Sequence, residues 1–334
     1  MARIRICGKG DYVAMDGETI LEAGLRAGFG FPKACRNGNC GRCAGQLLDG
    51  TVTLKGRTTP LRASRPEGCD ILFCIAHPDS DCDIGGIEIT APGEWLVNTL
   101  HCQIADIRPL NHNISAVTLR LPAGQRVLWH AGQYLLLGEQ QDSAFSIANA
   151  CVDGQRELSL HIRHDADNDS AVALMAQLQA SATVVATLPL GERYIAAIPD
   201  RPVWFICGST GFAPARAMIE RLSSLRFALP VRLFRGGRRP EDIYPAQWRP
   251  DTLGGLIDFH QVESVNDDPR PGQIKGLVHE AALAMLNEPT LPLFHIGGSP
   301  AMAWAVFDAL LAAGVPAQHI HSDVFDYAPR GADL

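Results

Sequence analysis

The sequence predicts a multidomain chain that combines α+β and α/β architecture in three successive parts. Residues 1–93 mix short strands, one helix and a cysteine-rich loop, whereas residues 95–197 hold six short strands and a single helix. From residue 200 to residue 334 strands alternate with helices. Six short strands separated by turns favour a closed antiparallel barrel, and strand–helix alternation favours a parallel sheet covered by helices.

Length, composition and charge narrow the possible partners. The 334 residues are enough for two or three hydrophobic cores, and 36 acidic against 29 basic residues give a net charge of −7. This balance disfavours nucleic acid as a partner. Because no apolar run reaches membrane-spanning length and the first residues lack the apolar core of a signal peptide, we expect a soluble, cytoplasmic protein without a membrane partner. The sequence predicts no particular oligomeric state.

The first part, residues 1–93, reads as a small α+β unit. It contains, in order, a strand at Ile4 and Ile6, a strand from Tyr12 to Met15, a helix capped by Thr19, a strand from Gly45 to Leu48 and a last strand from Ile87 to Thr90. Ala91-Pro92-Gly93 then forms a plausible linker.

The cysteine loop between the helix and the third strand carries the most specific motif. Cys35, Cys40 and Cys43 follow a C-x4-C-x2-C pattern, and Cys74 follows after 30 residues. Four thiolates at this spacing are typical of a plant-type 2Fe-2S cluster. Glycines in the loop, such as Gly38 and Gly41, let the backbone approach the sulfides closely. The alternatives are a structural zinc site, which usually takes two C-x2-4-C pairs, and four buried thiols without a ligand.

The second part, residues 95–197, has six predicted strands and one helix from Ser170 to Leu178. The strands run from His101 to Arg108, Ile114 to Leu121, Gln133 to Gly138, Ala144 to Ala150, Glu157 to His164 and Thr183 to Leu190. A closed barrel of these strands removes the exposed sheet edges.

The third part, from residue 200, has predicted strands at Val203–Cys207, Val231–Phe234, Leu256–Val262 and Leu293–Ile296, with helices at Ala213–Leu225, about 274–286 and 301–313. The turn after the first strand contains Gly208 and Gly211, and Pro214 lies near the start of the helix. A strand, a glycine turn and a helix form a phosphate cradle, because free helix N–H groups point at the anion. A turn with two glycines alone is weak support for a site.

Together these motifs resemble the ferredoxin-NAD(P)+ reductase superfamily, in the form found in oxygenase reductases with an N-terminal plant-type ferredoxin domain. The resemblance rests on C-R-x-G-x-C-G-x-C at residues 35–43, on Ala144-Phe145-Ser146-Ile147, on residues 208–214, on Gly297-Gly298-Ser299-Pro300-Ala301-Met302 and on Asp323-Val324-Phe325. It implies a β-grasp ferredoxin domain at 1–93, an FAD-binding barrel at 95–197 and an NAD(P)-binding domain at 200–334. The chain is similar to CDP-6-deoxy-glucoseen reductase as well.

For the flavin, the resemblance implies that Phe145 packs on the ring and that the Ser146 hydroxyl reaches the reactive N5. The implied flavin contacts are Phe145, Ser146, Ile147, Ile162, Arg163 and Ser170, with FAD expected rather than FMN from the domain order. Two positions depart from the family: Ser143 replaces the phosphate-binding arginine, and Asp167-Asn168-Asp169-Ser170 replaces a glycine-containing stretch. The alternative is that Phe145 and Ser146 are strand residues of a barrel without flavin.

For the nicotinamide, the implied contacts are Gly208, Thr210, Gly211, Pro214, Gly297, Gly298, Ser299 and Met302. Ser209 replaces a family glycine and Gly297 replaces a family cysteine. Phe325 is expected either to cover the flavin, as a catalytic residue, or to belong to the core. Arg235, Arg238 and Arg239 lie where an NADP 2′-phosphate would be bound, yet the domain order favours NADH.

The resemblance therefore implies an NAD(P)H-dependent reductase. NADH would deliver electrons in pairs, FAD would separate them, and the 2Fe-2S cluster would pass them singly to a protein acceptor, expected to be an oxygenase component. The alternative is a ferredoxin-like electron carrier or redox adaptor whose flavin and nicotinamide sites are degenerate. A plain flavin reductase is disfavoured because it leaves the cysteine loop without a role.

Overall fold

The computed structural model describes residues 1–33, 35–65, 68–92, 94–125, 127–139, 143–152, 154–166, 168–244, 257–265, 273–287 and 289–330. Its internal contacts divide the chain into two compact units, Met1–Leu96 and Val97–Leu334. The boundaries of the three domains stay predictions, and Gly93 of the predicted linker lies outside the described residues. None of the helices among the described residues is long and apolar enough to cross a membrane.

The first unit is a mixed sheet with one helix against it. Its elements are β1 (Ala2–Ile6), β2 (Gly10–Ala14), α1 (Ile20–Arg26), β3 (Ala44–Leu54), β4 (Leu61–Ala63), β5 (Cys69–Leu72), β6 (Ala76–Pro78) and β7 (Cys82–Gly85). The sheet order is β2-β1-β7-β3-β4, and β5 and β6 pair with β3. The predicted strand at Ile87–Thr90 is wrong as an element, since β7 occupies the place between β1 and β3 and Thr90 makes only an isolated bridge with Gly30.

Helix α1 forms as the sequence predicts. The Thr19 hydroxyl accepts the Glu22 N–H, and the Glu22 carboxylate accepts the Thr19 N–H, which completes a capping box. The helix buries Ile20 and Leu21. Gly24 faces the Phe31 ring so closely that a Cβ atom would overlap it, and this close approach explains a glycine inside a helix.

Strand β3 borders the Cys74 turn at both of its ends. Ala44 pairs with Leu72 just before this turn, and Leu54 pairs with Ala76 just after it. The Lys55 N–H donates to the Ile75 carbonyl at 2.8 Å, and the Phe73 N–H donates to the Cys43 carbonyl at 3.1 Å. The bent strand therefore holds Cys74 beside the cysteine loop.

The second unit begins with a six-stranded antiparallel sheet. Its strands are β8 (Asn98–Pro109), β9 (Ile114–Arg120), β10 (Tyr134–Leu137), β11 (Ser143–Ser146), β12 (Glu157–Arg163) and β13 (Thr183–Leu190), and α2 (Asp169–Ala180) precedes β13. The order is β11-β10-β13-β8-β9-β12, and a bridge between Ile147 and Leu160 joins the two edges. The nearly closed barrel confirms the prediction, and β13 has the predicted bounds.

A six-stranded parallel sheet completes the second unit. Its strands are β14 (Val203–Gly208), β15 (Val231–Gly237), β16 (Ile257–Glu263), β17 (Gln273–Lys275), β18 (Leu293–Gly297) and β19 (Ile320–His321). The order is β17-β16-β15-β14-β18-β19. The helices are α3 (Phe212–Ser224), α4 (Val278–Ala284), α5 (Pro300–Ala312) and α6 (Val324–Tyr327). Residues 274–286, predicted as one helix, contain the end of β17 and the shorter α4, because β17 extends the sheet beside β16. Leu256 lies outside the described residues.

Candidate functional site

The cysteine loop brings two of its thiols into mutual backbone contact. The Cys40 N–H donates to the Cys35 sulfur at 3.3 Å, and the Cys35 N–H donates to the Cys40 sulfur at 3.5 Å. Both residues are exposed, whereas Cys43 and Cys74 are buried. The loop therefore presents one pair of thiols at the surface and one pair below it.

Hydrogen bonds and burial give the thiols different acidities. Backbone N–H groups, first that of Asn37, lower the pKa of Cys35 to about 6, with further help from Cys40. Burial raises the pKa of Cys74 to about 11, and the neighbouring Cys43 raises it as well, while a backbone hydrogen bond from Gly38 opposes them. Amide groups aimed at sulfur stabilise thiolate, which is the form that binds iron.

The donor set and the backbone fit a 2Fe-2S cluster. Gly38 and Gly41 have φ of +89° and +71°, and Arg36 also lies in the left-handed region at +56°. A side chain at Gly38 would meet Ile75 at 3.2 Å, so glycine lets the loop lie against the segment after Cys74. Within the described ranges no group of three or more His, Cys, Asp or Glu forms a ready-made metal site. The four thiols are therefore candidate iron ligands because of their spacing and chemistry, and not because the described residues already form a closed coordination shell.

The predicted flavin residues lie on or next to β11, on β12 and in the first turn of α2. Phe145 and Ser146 end β11, both are half-buried, and Phe145 packs partly against the barrel core. Ile147 and Ile162 are 0% exposed, so their side chains belong to the core and only their backbone is available to a cofactor. A half-buried aromatic ring beside a half-buried hydroxyl on an edge strand fits a flat ring system.

Arg163, the predicted phosphate contact, is held by an acidic neighbour. Its Nε lies 2.5 Å from the Asp165 carboxylate, which also accepts a hydrogen bond from Asn113 Nδ2 at 2.5 Å. Asp165 therefore neutralises the guanidinium that would replace the family arginine missing at Ser143. Its carboxylate lines the same cleft as Arg163.

The amides near Ser170 are only partly available to an anion. The helix begins at Asp169, and the Asn168 side chain already accepts the Ala171 N–H at 3.1 Å. Ser170 itself is exposed in the first turn. Asp167 lies outside the described residues.

A cleft of about 1180 Å³ lies between the barrel and the carboxyl ends of the parallel strands. Arg163 and Ile114 of the barrel and Gly208, Ser299 and Met302 of the parallel-sheet part are among its lining residues. Such ends are where open parallel sheets bind nucleotides, and the volume suffices for a dinucleotide. The predicted residues Arg163, Gly208, Ser299 and Met302 thus come together at one site.

The glycine turn approaches the second glycine motif backbone to backbone. A Cβ at Gly211 would overlap the Gly297 carbonyl group, and a Cβ at Gly297 would overlap the Gly211 carbonyl oxygen. Gly211, Gly297 and Pro214 line a separate small cavity. The glycine at 297, in place of the family cysteine, is therefore required by the close approach of these two turns.

The other residues of the two motifs have structural partners. A Cβ at Gly208 or Gly298 would lie 2.6 or 2.7 Å from the Met302 sulfur. Ser299 caps α5, since its hydroxyl accepts the Met302 N–H at 3.4 Å. Thr210 is half-buried in the 3-10 turn Ser209–Gly211, where Ser209 has φ of +49°, a conformation that favours glycine.

Arg235, near the end of β15, and Arg238 and Arg239, in the loop after it, differ in their environment. Arg235 is 3% exposed, and its guanidinium stacks on Phe212 at 3.9 Å and on Tyr244 at 5.5 Å. Arg238 and Arg239 line the cleft, and their backbone N–H groups donate to Asp242 Oδ2. Arg239 also lies 3.8 Å from Glu241. Arg235 is thus a core residue, and the other two share the cleft with carboxylates.

The carboxyl-terminal motif lies in an aromatic cluster. Phe325 is half-buried, with its ring 4.5 Å from Trp304 and 5.0 Å from Phe307. The Asp323 carboxyl is largely buried, its Oδ1 has no hydrogen-bond partner among the described residues, and burial raises its pKa to about 7. Asp326 raises this pKa further, and Arg193 lowers it.

Two side-chain contacts escaped the sequence prediction. Asn113 precedes β9 and Asp165 follows β12, and the pairing of these two strands brings the side chains together. His161 lies buried under the cleft, where the Tyr244 hydroxyl lies 3.3 Å from its Nδ1 and burial lowers its pKa to about 3. No spacing in the sequence signals these contacts, since the partners are 52 and 83 residues apart.

Comparison with known proteins agrees with this architecture. Residues 4–79 match the 2Fe-2S iron-sulfur cluster binding domain. The chain is 30% identical over 325 residues to terephthalate 1,2-dioxygenase, reductase component 2, from Comamonas sp., covering 94% of each chain. It is 27% identical over 313 residues to CDP-6-deoxy-L-threo-D-glycero-4-hexulose-3-dehydrase reductase from Yersinia pestis, covering 92% of this chain and 93% of that protein.

A solved structure is similar over most of the chain. The cytochrome P450 reductase GcoB from Amycolatopsis superposes with a TM-score of 0.60 at 25% identity, covering 96% of this chain and 98% of the other.

Proposed function

Because the chain belongs to the ferredoxin-NAD(P)+ reductase superfamily, in the oxygenase-reductase type with an N-terminal 2Fe-2S ferredoxin domain, we propose that it transfers electrons from NADH to a one-electron protein acceptor. The protein is an oxidoreductase whose cofactors are a 2Fe-2S cluster, FAD and a nicotinamide dinucleotide. When bound, the flavin separates a hydride's electron pair into single electrons for the cluster.

One observation carries this proposal: a single chain holds a four-thiol loop in one unit and a dinucleotide-sized cleft in the other. Cys35, Cys40, Cys43 and Cys74 would bind the iron. The backbone of the Gly208–Gly211 turn and the first turn of α3 would bind the nicotinamide dinucleotide. Either part alone would suit a carrier or a flavin reductase, and only their combination requires an electron path between them.

The barrel edge supplies the remaining position. Phe145 would lie on the flavin ring, and the Ser146 hydroxyl would hydrogen-bond near its reactive nitrogen. Ser170 and Arg163 would contact its phosphates, the latter weakened by Asp165. Phe325 would exclude water from the ring, since it extends from an aromatic cluster.

NADH is the proposed donor rather than NADPH. Arg235 is stacked on two aromatic rings in the core, and Arg238 and Arg239 share their loop with Glu241 and Asp242. A 2′-phosphate would meet these carboxylates as well as the arginines. The proposed acceptor is an oxygenase component, because the Comamonas sp. relatives are reductase components of terephthalate 1,2-dioxygenase.

The experiment that tests the function is anaerobic titration of the purified full-length protein. We expect absorbance of one flavin and one 2Fe-2S cluster per chain, and bleaching of both on addition of NADH. NADPH should bleach them more slowly. A protein that carries iron but no flavin, and that NADH leaves unchanged, would favour the electron carrier instead.

A further inference from the structure

The cations of the first unit fall into two groups. Away from the cysteine loop most of them are paired: Arg3 with Asp11, Arg5 and Arg65 with Asp83, Lys9 with Glu94, and Arg26 with Glu18, whereas Arg62 has no ion pair among the described residues. Beside the loop, Arg36, Arg42, Lys55 and Arg57 are all exposed, and their side chains form no ion pair or hydrogen bond with any residue in the described ranges. We call these four residues the basic rim.

The fold places the basic rim around the thiols. Arg36 and Arg42 lie inside the loop itself, between Cys35 and Cys43. Lys55 is adjacent to the Cys74 segment, because its N–H donates to the Ile75 carbonyl at 2.8 Å. Arg57 lies in the next turn, which is closed by a hydrogen bond from the Arg57 N–H to the Leu54 carbonyl at 2.9 Å. Both ends of β3 thus deliver positive charge to the neighbourhood of the exposed Cys35 and Cys40.

Local charge here opposes the charge of the whole chain. Residues 33–65 contain seven Lys and Arg and one acidic residue, Asp49, although the chain carries a net charge of −7. Asp49 pairs in register with Asp83 in the middle of β3, away from the Cys74 turn. Two exposed carboxylates lie near the Cys74 segment: Asp70 of β5, opposite Gln46 of β3, and Glu22, which follows Leu21, whose N–H donates to the Phe73 carbonyl at 3.0 Å.

We propose that the basic rim is the docking surface for the electron acceptor, and that the acceptor presents an acidic face to it. This inference rests on the proposed function, since it names the chemistry of the partner. Unpaired exposed cations carry little stability and leave a field that extends about 10 Å at 0.1 M salt. Such a field steers an oppositely charged partner toward the exposed thiols, where an electron must leave.

The test measures association rather than turnover. Cytochrome b5, an acidic haem protein, serves as the probe, and its Kd for the full-length oxidised protein is measured at low ionic strength and at 0.5 M salt. We expect binding that weakens strongly with salt. Arg57→Glu should raise the Kd about fivefold at low ionic strength and have almost no effect at high salt.

Arg62→Glu is the matched control. Arg62 is exposed and, like Arg57, has no ion pair among the described residues, but it lies on β4, opposite Thr51 of β3. The same change of charge there should alter the Kd less than twofold. Arg42→Glu provides a second rim variant. Arg57 is the primary choice because it lies outside the cysteine loop, so that its exchange leaves the proposed iron ligands in place.

Equal effects of Arg57→Glu and Arg62→Glu, or no effect of either, would overturn the basic rim as a docking surface. A second result would also overturn the proposal: the wild-type protein binds a duplex DNA oligonucleotide, and Arg57→Glu loses that binding while its binding of cytochrome b5 is unchanged. The basic rim would then belong to a nucleic-acid site. Neither result touches the reductase function, which fails separately if NADH does not reduce the wild-type protein.

Discussion

The cysteine loop of the first unit and the cleft of the second treat their cations differently. Around the loop, the basic rim is exposed and unpaired within the described residues. In the cleft, Arg163 is bound to Asp165, Arg239 lies beside Glu241, and Arg235 is stacked in the core, whereas the exposed Arg238 side chain has no partner among the described residues. A surface for a transient protein partner gains from charges that remain available. A nucleotide cleft in which most cations are compensated relies more on backbone amides and close packing.

Loss of one thiol should have the largest effect on electron transfer. Cys74→Ser removes one ligand, so transfer from NADH to a one-electron acceptor should fall at least about 100-fold, in line with the loss of an essential ligand, while NADH-driven dye reduction at the flavin continues. Stopped-flow absorbance of the protein and of the acceptor measures both rates.

Cys82→Ser is the control for that change. Cys82 is also buried in the first unit, but its sulfur contacts the Ser80 and Thr51 carbonyls, which a hydroxyl can contact too. Its transfer rate should remain near wild type. Undiminished transfer in Cys74→Ser would contradict the role of the cluster.

Gly297→Ala tests whether the cleft depends on backbone approach. The added Cβ meets the Gly211 carbonyl oxygen, which cannot rotate away, so we expect a loss of about 1–3 kcal/mol and a higher KM for NADH. In Gly298→Ala the Cβ meets the flexible Met302 side chain at 2.7 Å, and a smaller loss is expected. Thermal unfolding compares the two, and equal stabilities would remove the argument from close packing.

Asp165→Asn removes the carboxylate that pairs with Arg163, so the cleft would then hold an uncompensated guanidinium, like those around the cysteine loop. Free of its carboxylate, the guanidinium gains strength for a phosphate, and we expect binding to improve about threefold to tenfold. FAD retention and KM for NADH are measured separately, and the one that changes identifies the nucleotide that Arg163 faces. Asp106→Asn, an exposed position on β8 that does not line the cleft, is the control and should change neither.

Asp323→Asn tests an uncompensated charge in the second unit. Because burial raises the pKa of Asp323 from 3.8 to about 7, the folded protein binds more protons than the unfolded chain between about pH 4 and pH 7. Its contribution to stability therefore falls as the pH rises through that range. The Asn variant should therefore gain more in melting temperature over wild type at pH 8 than at pH 5, by about 2–4 °C, because only part of the destabilisation is present at pH 5.

The exposed Asp308, which is paired with Arg330, gives the control for this pH effect. For Asp308→Asn, the change in melting temperature relative to wild type should be the same at pH 5 and at pH 8. A pH-independent shift in Asp323→Asn would mean that the carboxyl is charged at both values.

Much of the fold could be predicted because its signals are local. Alternation of apolar residues located all six barrel strands, and the Thr19–Glu22 capping box located the start of α1. The short strands β4, β5 and β6 were missed, since each has only three or four residues and is stabilised by β3 rather than by its own pattern.

In the candidate site, too, local sequence patterns could be predicted and contacts between distant segments could not. The cysteine spacing is itself a sequence pattern, so the four proposed cluster ligands follow directly from it. The contact between Asn113 and Asp165 does not, because it depends on strand pairing across the barrel. Likewise, the reason for glycine at 297 emerges only when two turns, separated by 86 positions in the numbering, are seen in contact.

Strand β3 has a consequence for how the first unit opens. Since its two ends pair with segments on either side of one turn, neither end can separate without disturbing the same few hydrogen bonds. In hydrogen exchange, the amides of Phe73 and Lys55 should therefore become accessible together, as members of a single cooperative foldon. Reductive loss of iron would then accelerate deuterium uptake at both positions at once.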